Sequence, residues 1–226
     1  AEALVRWQRD GKLISPMQFI PQLEREGSII KLDYYMLEEV CRFLRKWMDE
    51  GHAPICISVN FSRKHLDEDD MVEHIVSILD EHGIAHQYIE IELTESEDFQ
   101  NYEIMTNIVN ELSEAGIGTS MDDFGTGFSS LNMIKKLDLK VIKIDRSFIP
   151  LETDYPGKDK DMIMFCNIVT LLRELGKKTI AEGVETQQQL GYLENAGCDI
   201  VQGYVFDKPL CEADFRMRLE NGYGSC

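Results

Sequence analysis

The chain has 226 residues, 43% of them hydrophobic and 28% charged, the balance of a globular protein with enough apolar side chain for one sizeable core. Lys and Arg total 23 against 41 Asp and Glu, a formal charge of −18, which argues against a protein that grips polymeric nucleic acid through its phosphates. No apolar run approaches the ~18 residues of a membrane span and no signal-like N-terminus is visible, so the sequence reads as cytoplasmic, with any membrane tether supplied by other domains of a longer protein.

Residues 1–7 (AEALVRW) read as the end of a strand and a loop, followed by a polar connection punctuated by Gly11, Pro16 and Pro21. From 29 to 47, Leu32, Tyr35, Met36, Val40, Phe43, Leu44 and Trp47 recur at three- and four-residue spacing, which predicts an amphipathic helix. Further strands are predicted over 55–60, 88–96, 117–122, 141–145, 178–184 and 199–206, and helices over 69–81, 102–115, 129–137, 159–175, 187–196 and 212–220. Gly83, Gly116, Gly176 and Gly197 stop helices. Strands alternating with helices at this spacing imply right-handed crossovers and a parallel sheet.

Both an open sheet and a closed barrel fit that alternation, and the strand ends decide between them. Ser58 and Asn60, Glu90 and Glu92, Ser120 and Asp122, Lys143 and Asp145 are polar pairs two residues apart, and Glu182 and Gln202 end the last two strands. Every strand contributes, which favours a barrel with its site at the C-terminal mouth. No glycine-rich dinucleotide fingerprint or Walker pattern follows any strand.

Glu2, Asn60, Glu92, Asp122, Asp123 and Glu182 offer hard oxygen ligands from separate strands, a set suited to Mg²⁺ or Mn²⁺. Asp122 and Asp123 sit side by side before a turn containing Gly125 and Gly127, and adjacent buried anions imply cations between them. So many carboxylates make two metals more plausible than one, with Asp122 as a bridge. Such a pair can activate water for in-line phosphodiester displacement. Lys143 is the one cation among the inward positions, and reads either as an orienter of the attacking water or as a salt-bridge partner of Glu92 or Asp145. His52, His65, His74, His82 and His86 fall in loops or on helices and read as solvated. The six cysteines show no ligand spacing.

Seven ordered motifs then resemble the bacterial EAL-domain phosphodiesterases across essentially the whole chain: EALVRW (2–7), VNFS (59–62), ELTES (92–96), DDFGTGFSSL (122–131), KIDRSFI (143–149), AEGVET (181–186) and QGYVFDKPL (202–210). The resemblance implies a modified TIM (β/α)8 barrel that hydrolyses cyclic di-GMP to linear pGpG with Mg²⁺ or Mn²⁺ and is inhibited by Ca²⁺. By the same resemblance Glu2, Asn60, Glu92 and Asp122 ligate one metal, and Asp122, Asp123 and Glu182 the second. Lys143 holds the attacking water, Arg6 contacts a substrate phosphate, and Gln202 lies beside the site water. Asp145 is assigned to substrate binding. Glu95 orders the DDFGTG loop and couples it to a homodimer, and Glu185 supports the site from behind.

Family domains carry about one further strand and helix before the EAL motif, so residues 1–226 are expected to be an N-terminally truncated EAL domain. It would lack its antiparallel first strand and part of the second, and be excised from a signalling protein with an upstream sensory or GGDEF-type domain. Competing readings are a receptor that binds cyclic di-GMP without cleaving it, and an unrelated metal-dependent barrel hydrolase of phosphoesters.

Overall fold

A computed structural model describes residues 1–94, 102–124, 134, 136–149 and 158–222. Strand β1 (Glu2–Ala3) opens the chain. The stretch expected to be a polar connection carries three further elements. Trp7–Arg9 (β2) and Lys12–Ile14 (β3) pair as an antiparallel hairpin, turned by Asp10 and Gly11 at φ 50° and 74°. Two consecutive positive-φ residues are what an Asp-Gly hairpin turn requires. Helix α1 (Pro16–Glu26) follows with Pro16 in its first turn, where a missing N–H costs nothing.

Helix α2 (Ile29–Asp49) confirms the predicted helix but with a shifted phase. Tyr34 and Leu37 are buried with Val40, Cys41, Leu44 and Trp47, while Tyr35 is exposed. The remaining units are β4 (Ile57–Phe61), α3 (Met71–His82), β5 (Ile89–Thr94), α4 (Tyr102–Glu114), β6 (Gly118–Phe124), β7 (Val141–Ile144), α5 (Lys158–Glu174), β8 (Lys178–Ala181), α6 (Gln187–Ala196), β9 (Ile200–Val201) and α7 (Glu212–Asn221). The turn glycines Gly125 and Gly127, residue Glu95 and most of the helix expected over 129–137 lie outside the described residues.

Seven strands make one sheet in the order β1-β4-β5-β6-β7-β8-β9, every pair parallel. Alternation along each strand sorts the residues into two faces. Ile57, Val59, Phe61, Ile91, Leu93, Ile142 and Ile144 are buried in one core cluster with Leu37, Leu44, Ile75, Leu79, Leu112 and Val169 of the helices. The positions between them, Ser58, Asn60, Glu92, Ser120 and Lys143, occupy the other face and are polar. The sheet is curled into a half-barrel, and Gln202 Nε2, just past β9, donates to Glu2 Oε2 on β1 at 2.6 Å, a side-chain bridge between its two edges.

The last predicted strand is shorter than expected because the chain turns at Gly203. Val205 N–H donates to Val184 O at 3.0 Å, and a Cβ on residue 203 would sit 2.1 Å from that carbonyl oxygen. Only glycine permits so close a backbone approach.

Candidate active site

Lys143, 1% exposed, is the centre of the mouth. Its Nζ lies 2.7 Å from Glu92 Oε2 and 2.7 Å from Glu182 Oε1, and 3.3 Å from both Glu2 Oε2 and Asp122 Oδ1. The four carboxylates come from β1, β5, β6 and the turn after β8, so strands distant in sequence are needed to assemble them. Asn60 joins them by donating from Nδ2 to Glu2 Oε1 at 3.0 Å, which leaves its carbonyl oxygen as the atom it can offer a cation.

One ammonium faces four acids, and the electrostatics register that shortage. Burial pushes the Glu92 carboxyl up to about 7, the neighbouring Glu2 adding to the effect and Lys143 opposing it. Burial likewise pushes Glu182 up to about 8, with Asp122 adding to it. Burial also acts on Glu2, but Lys143 and the hydrogen bonds from Gln202 and Asn60 outweigh it and hold that carboxyl below its usual value. Burial would lower Lys143, yet Glu92, Glu2, Asp122 and Glu182 together hold its ammonium far above the usual range. The lysine is therefore charged at any ordinary pH, and the carboxylates are short of positive charge.

Asp122 and Asp123 fall in a bulge. Pairing of β6 with β7 runs Met121 to Ile142 and then Phe124 to Ile144, one residue extra on β6. A bulge re-aims side chains that strict alternation would send to opposite faces. Asp122 reaches Lys143; the side chain of Asp123 lies outside the described residues. Glu182 leaves β8 through Gly183, at φ 67°, where a Cβ would meet Arg146 Cβ at 2.8 Å.

The other expected site residues stand further out. Asp145 does not pair with Lys143: its Oδ1 accepts from Ser147 N–H at 2.9 Å and caps the turn after β7. Glu185 is half exposed, with an oxygen 3.8 Å from Arg146 Nη1, and its backbone N–H donates to Gln189 Oε1 at the capping box that starts α6. Arg6 is exposed and lines a cavity of about 240 Å³ shared with Asp33, Met36, Asn60 and Ser62.

One expectation is overturned. His65, read as solvated, is 1% exposed and stands between Asp33 and Glu68. Its carboxylate partner on α2 is 32 residues away, so no local pattern signals the burial.

Among the described residues no three His, Cys, Asp or Glu side chains already form a metal cage; the carboxylates close on the ammonium instead. The donor set nonetheless fits a hard dication. All its atoms are oxygens, negative charge is in excess, and the fully buried Ser120 Oγ, in register with Glu92, has no hydrogen-bond partner among the described residues.

A parallel α/β half-barrel with an acidic C-terminal mouth places the chain among barrel proteins that keep their chemistry at the strand ends. More narrowly, it belongs to the EAL domain family, which matches over residues 1–209. It is 38% identical over 210 residues to the cyclic di-GMP phosphodiesterase NbdA of Pseudomonas aeruginosa, covering 92% of this chain and 26% of that relative. It is 32% identical over 210 residues to the cyclic di-GMP phosphodiesterase PdeR of Escherichia coli, covering 92% of this chain and 31% of that relative. The chain thus spans about a quarter to a third of the length of these curated relatives. Among solved structures it resembles the PaMucR phosphodiesterase in complex with c-di-GMP, at TM-score 0.86 and 37% identity, covering 95% of this chain and 86% of that one.

Proposed function

We propose that this chain is a divalent-metal-dependent phosphodiesterase that hydrolyses cyclic di-GMP to linear pGpG. The observation that carries the reading is the convergence of four carboxylates from separate strands within 3.3 Å of one buried ammonium, on a fold shared with relatives named for that activity. Glu2, Asn60, Glu92 and Asp122 would hold one ion, and Asp122, Asp123 and Glu182 a second. Mg²⁺ or Mn²⁺ held there would lower the pKa of a bound water and offset negative charge on a phosphodiester, and Ca²⁺, larger and more loosely coordinated, is expected to inhibit.

The chain's own groups do the rest. Lys143, held protonated, donates to the attacking water and keeps it among the carboxylates. Gln202 fixes Glu2 from the far edge of the sheet. Arg6, at the cavity, offers a guanidinium to a substrate phosphate. Asp145, which caps the turn after β7, is assigned to substrate binding, Glu185 supports the turn after β8 that brings in Glu182, and Glu95 is assigned to ordering the DDFGTG loop. The same reading extends to a homodimer through that loop, an upstream sensory or GGDEF-type domain and a cytoplasmic location; no helix among the described residues is long and apolar enough to cross a membrane.

The test is to incubate purified protein with cyclic di-GMP and Mn²⁺ and look for pGpG, with Asp122→Asn and Glu2→Ala as controls. Release of pGpG that both substitutions abolish is expected. Tight binding without turnover in either Mg²⁺ or Mn²⁺ would mean a receptor and not an enzyme.

A further inference from the structure

We propose that His65 is a positioning residue for substrate binding: by bridging Asp33 and Glu68 it fixes the wall of the cavity beside Arg6. The inference rests on the function proposed above and goes beyond it to a group that never touches the carboxylate cluster.

The bridge is buried at His65 and Asp33 and partly exposed at Glu68. His65 Nε2 lies 3.1 Å from Asp33 Oδ2 and Nδ1 lies 2.5 Å from Glu68 Oε2. Both partners are acceptors when ionised, and a neutral imidazole donates only once. The second bond therefore needs a further proton, on the ring or on an acid. Two rings hold the imidazole in place and a third backs one of them. Tyr34 meets it edge-on at 4.9 Å and Phe61 packs at 4.7 Å, while His74 backs Tyr34 at 4.0 Å. Tyr34 O–H also donates to Glu68 Oε2 at 3.1 Å.

What ties this bridge to the cavity is the other load on Asp33. The same Oδ2 accepts Ser62 N–H at 2.9 Å, and Ser62 Oγ accepts Lys64 N–H at 3.3 Å to cap the turn that carries His65. Asp33 and Met36 on α2 form one wall of the cavity, and Asn60 to Ser62 at the end of β4 form another. One carboxylate oxygen thus links both walls, and His65 sets where that oxygen points. Asn60 is fixed separately, by Glu2 and by its pairing opposite Glu92. Loss of His65 should therefore loosen the cavity wall and leave the carboxylate cluster in place.

Steady-state kinetics with cyclic di-GMP test this. His65→Leu should raise KM about tenfold with kcat held within about threefold. His65→Gln, which keeps a single donor toward Asp33, should return KM to within about threefold of wild type. Leu79→Ala, in the helix core away from the cavity, should lower the melting temperature and leave KM alone. An unchanged KM in His65→Leu, or an equal rise in Leu79→Ala, overturns the proposal.

Should His65→Leu not fold, Glu68→Ala carries the test, since Glu68 lies at the partly exposed end of the bridge; a KM raised about threefold or more is expected, and none refutes it. If wild type binds without turnover, dissociation constants for cyclic di-GMP replace KM. If it neither binds nor turns over, the proposed function fails on its own, and hydrogen exchange at Ser62 N–H reads the wall directly. That amide should lose protection about tenfold in His65→Leu or Glu68→Ala, and unchanged exchange overturns the inference.

Discussion

Replacing Lys143 by methionine removes the ammonium that four carboxylates share while keeping a side chain of similar length. Nζ stands 2.7 Å from Glu92 and Glu182 and 3.3 Å from Glu2 and Asp122, with Lys143 and Glu92 buried and the other three carboxylates partly exposed. Taking one partner from a buried ion pair costs about 3–5 kcal/mol. Here the acids left behind can take up protons, and Glu92 and Glu182, already raised to about 7 and about 8, will do so near neutral pH. That relief places the expected loss at about 3 kcal/mol, or a fall of about 6–12 °C in melting temperature for a chain of this size. Mn²⁺ should then stabilise Lys143→Met more than wild type, because no ammonium competes with it for the carboxylates, while pGpG release should fall at least about a hundredfold. Thermal unfolding followed by circular dichroism, in EDTA and in saturating MnCl₂, reads both effects. A loss below about 1 kcal/mol in EDTA, or equal stabilisation by Mn²⁺, would refute the charge shortage.

Three further outcomes follow from the same geometry. Glu92 and Glu182 have folded pKa values above their ordinary 4.5, so between about pH 4.5 and 8 the folded chain holds protons that the unfolded chain has lost, and metal-free stability should fall as pH rises through that window; denaturant titrations in EDTA that show stability climbing instead would contradict the assignment. Glu2, held low, adds stability that is lost only on the acid side as pH falls through its folded value. Gln202→Leu removes the 2.6 Å bond joining the two sheet edges and should cost about 1.5–3 kcal/mol in urea unfolding, with faster hydrogen exchange at Ser58 N–H, which donates to Ala1 O; unchanged exchange would mean the edges hold without it. Gly203→Ala sets a Cβ 2.1 Å from the Val184 carbonyl oxygen, a backbone clash that no rotamer relieves, and should cost more than about 3 kcal/mol, whereas Gly191→Ala in α6, with nothing within 4 Å, should be neutral or stabilise by up to about 1 kcal/mol.

The alternation of strands and helices was readable because each unit carries its own local signal. Ile57, Val59 and Phe61 alternate with Ser58 and Asn60, and the helices repeat apolar residues every three or four positions. The hairpin was missed because its apolar side chains Trp7 and Leu13 are 44% and 71% exposed, and α1 because Pro21 interrupts the run in which Phe19, Ile20 and Leu23 share a face. Asp10-Gly11 was the one available sign, a turn signature between short extended runs. The phase error on α2 has a polar cause. Asp33 and Tyr34 are drawn inward by Ser62, His65 and Glu68, partners that a hydrophobic count does not see.

At the site, the meeting of strand ends at one mouth was legible and the pairing of the groups there was not. Polar residues two apart at strand ends announce an inward face, but sequence left Lys143 a choice of Glu92 or Asp145 as its partner. The fold supplies Glu2, Glu92, Asp122 and Glu182 and turns Asp145 away to cap. Closure by Gln202 across 200 residues is equally invisible until the sheet curls. The consecutive aspartates carry the sharpest lesson. On a strand of strict period two, neighbours face opposite ways, so an Asp-Asp pair proposed to serve one site already demands an irregularity in the ladder. The ladder does carry an extra residue on β6 between Met121 and Phe124, the kind of irregularity that such a pair calls for.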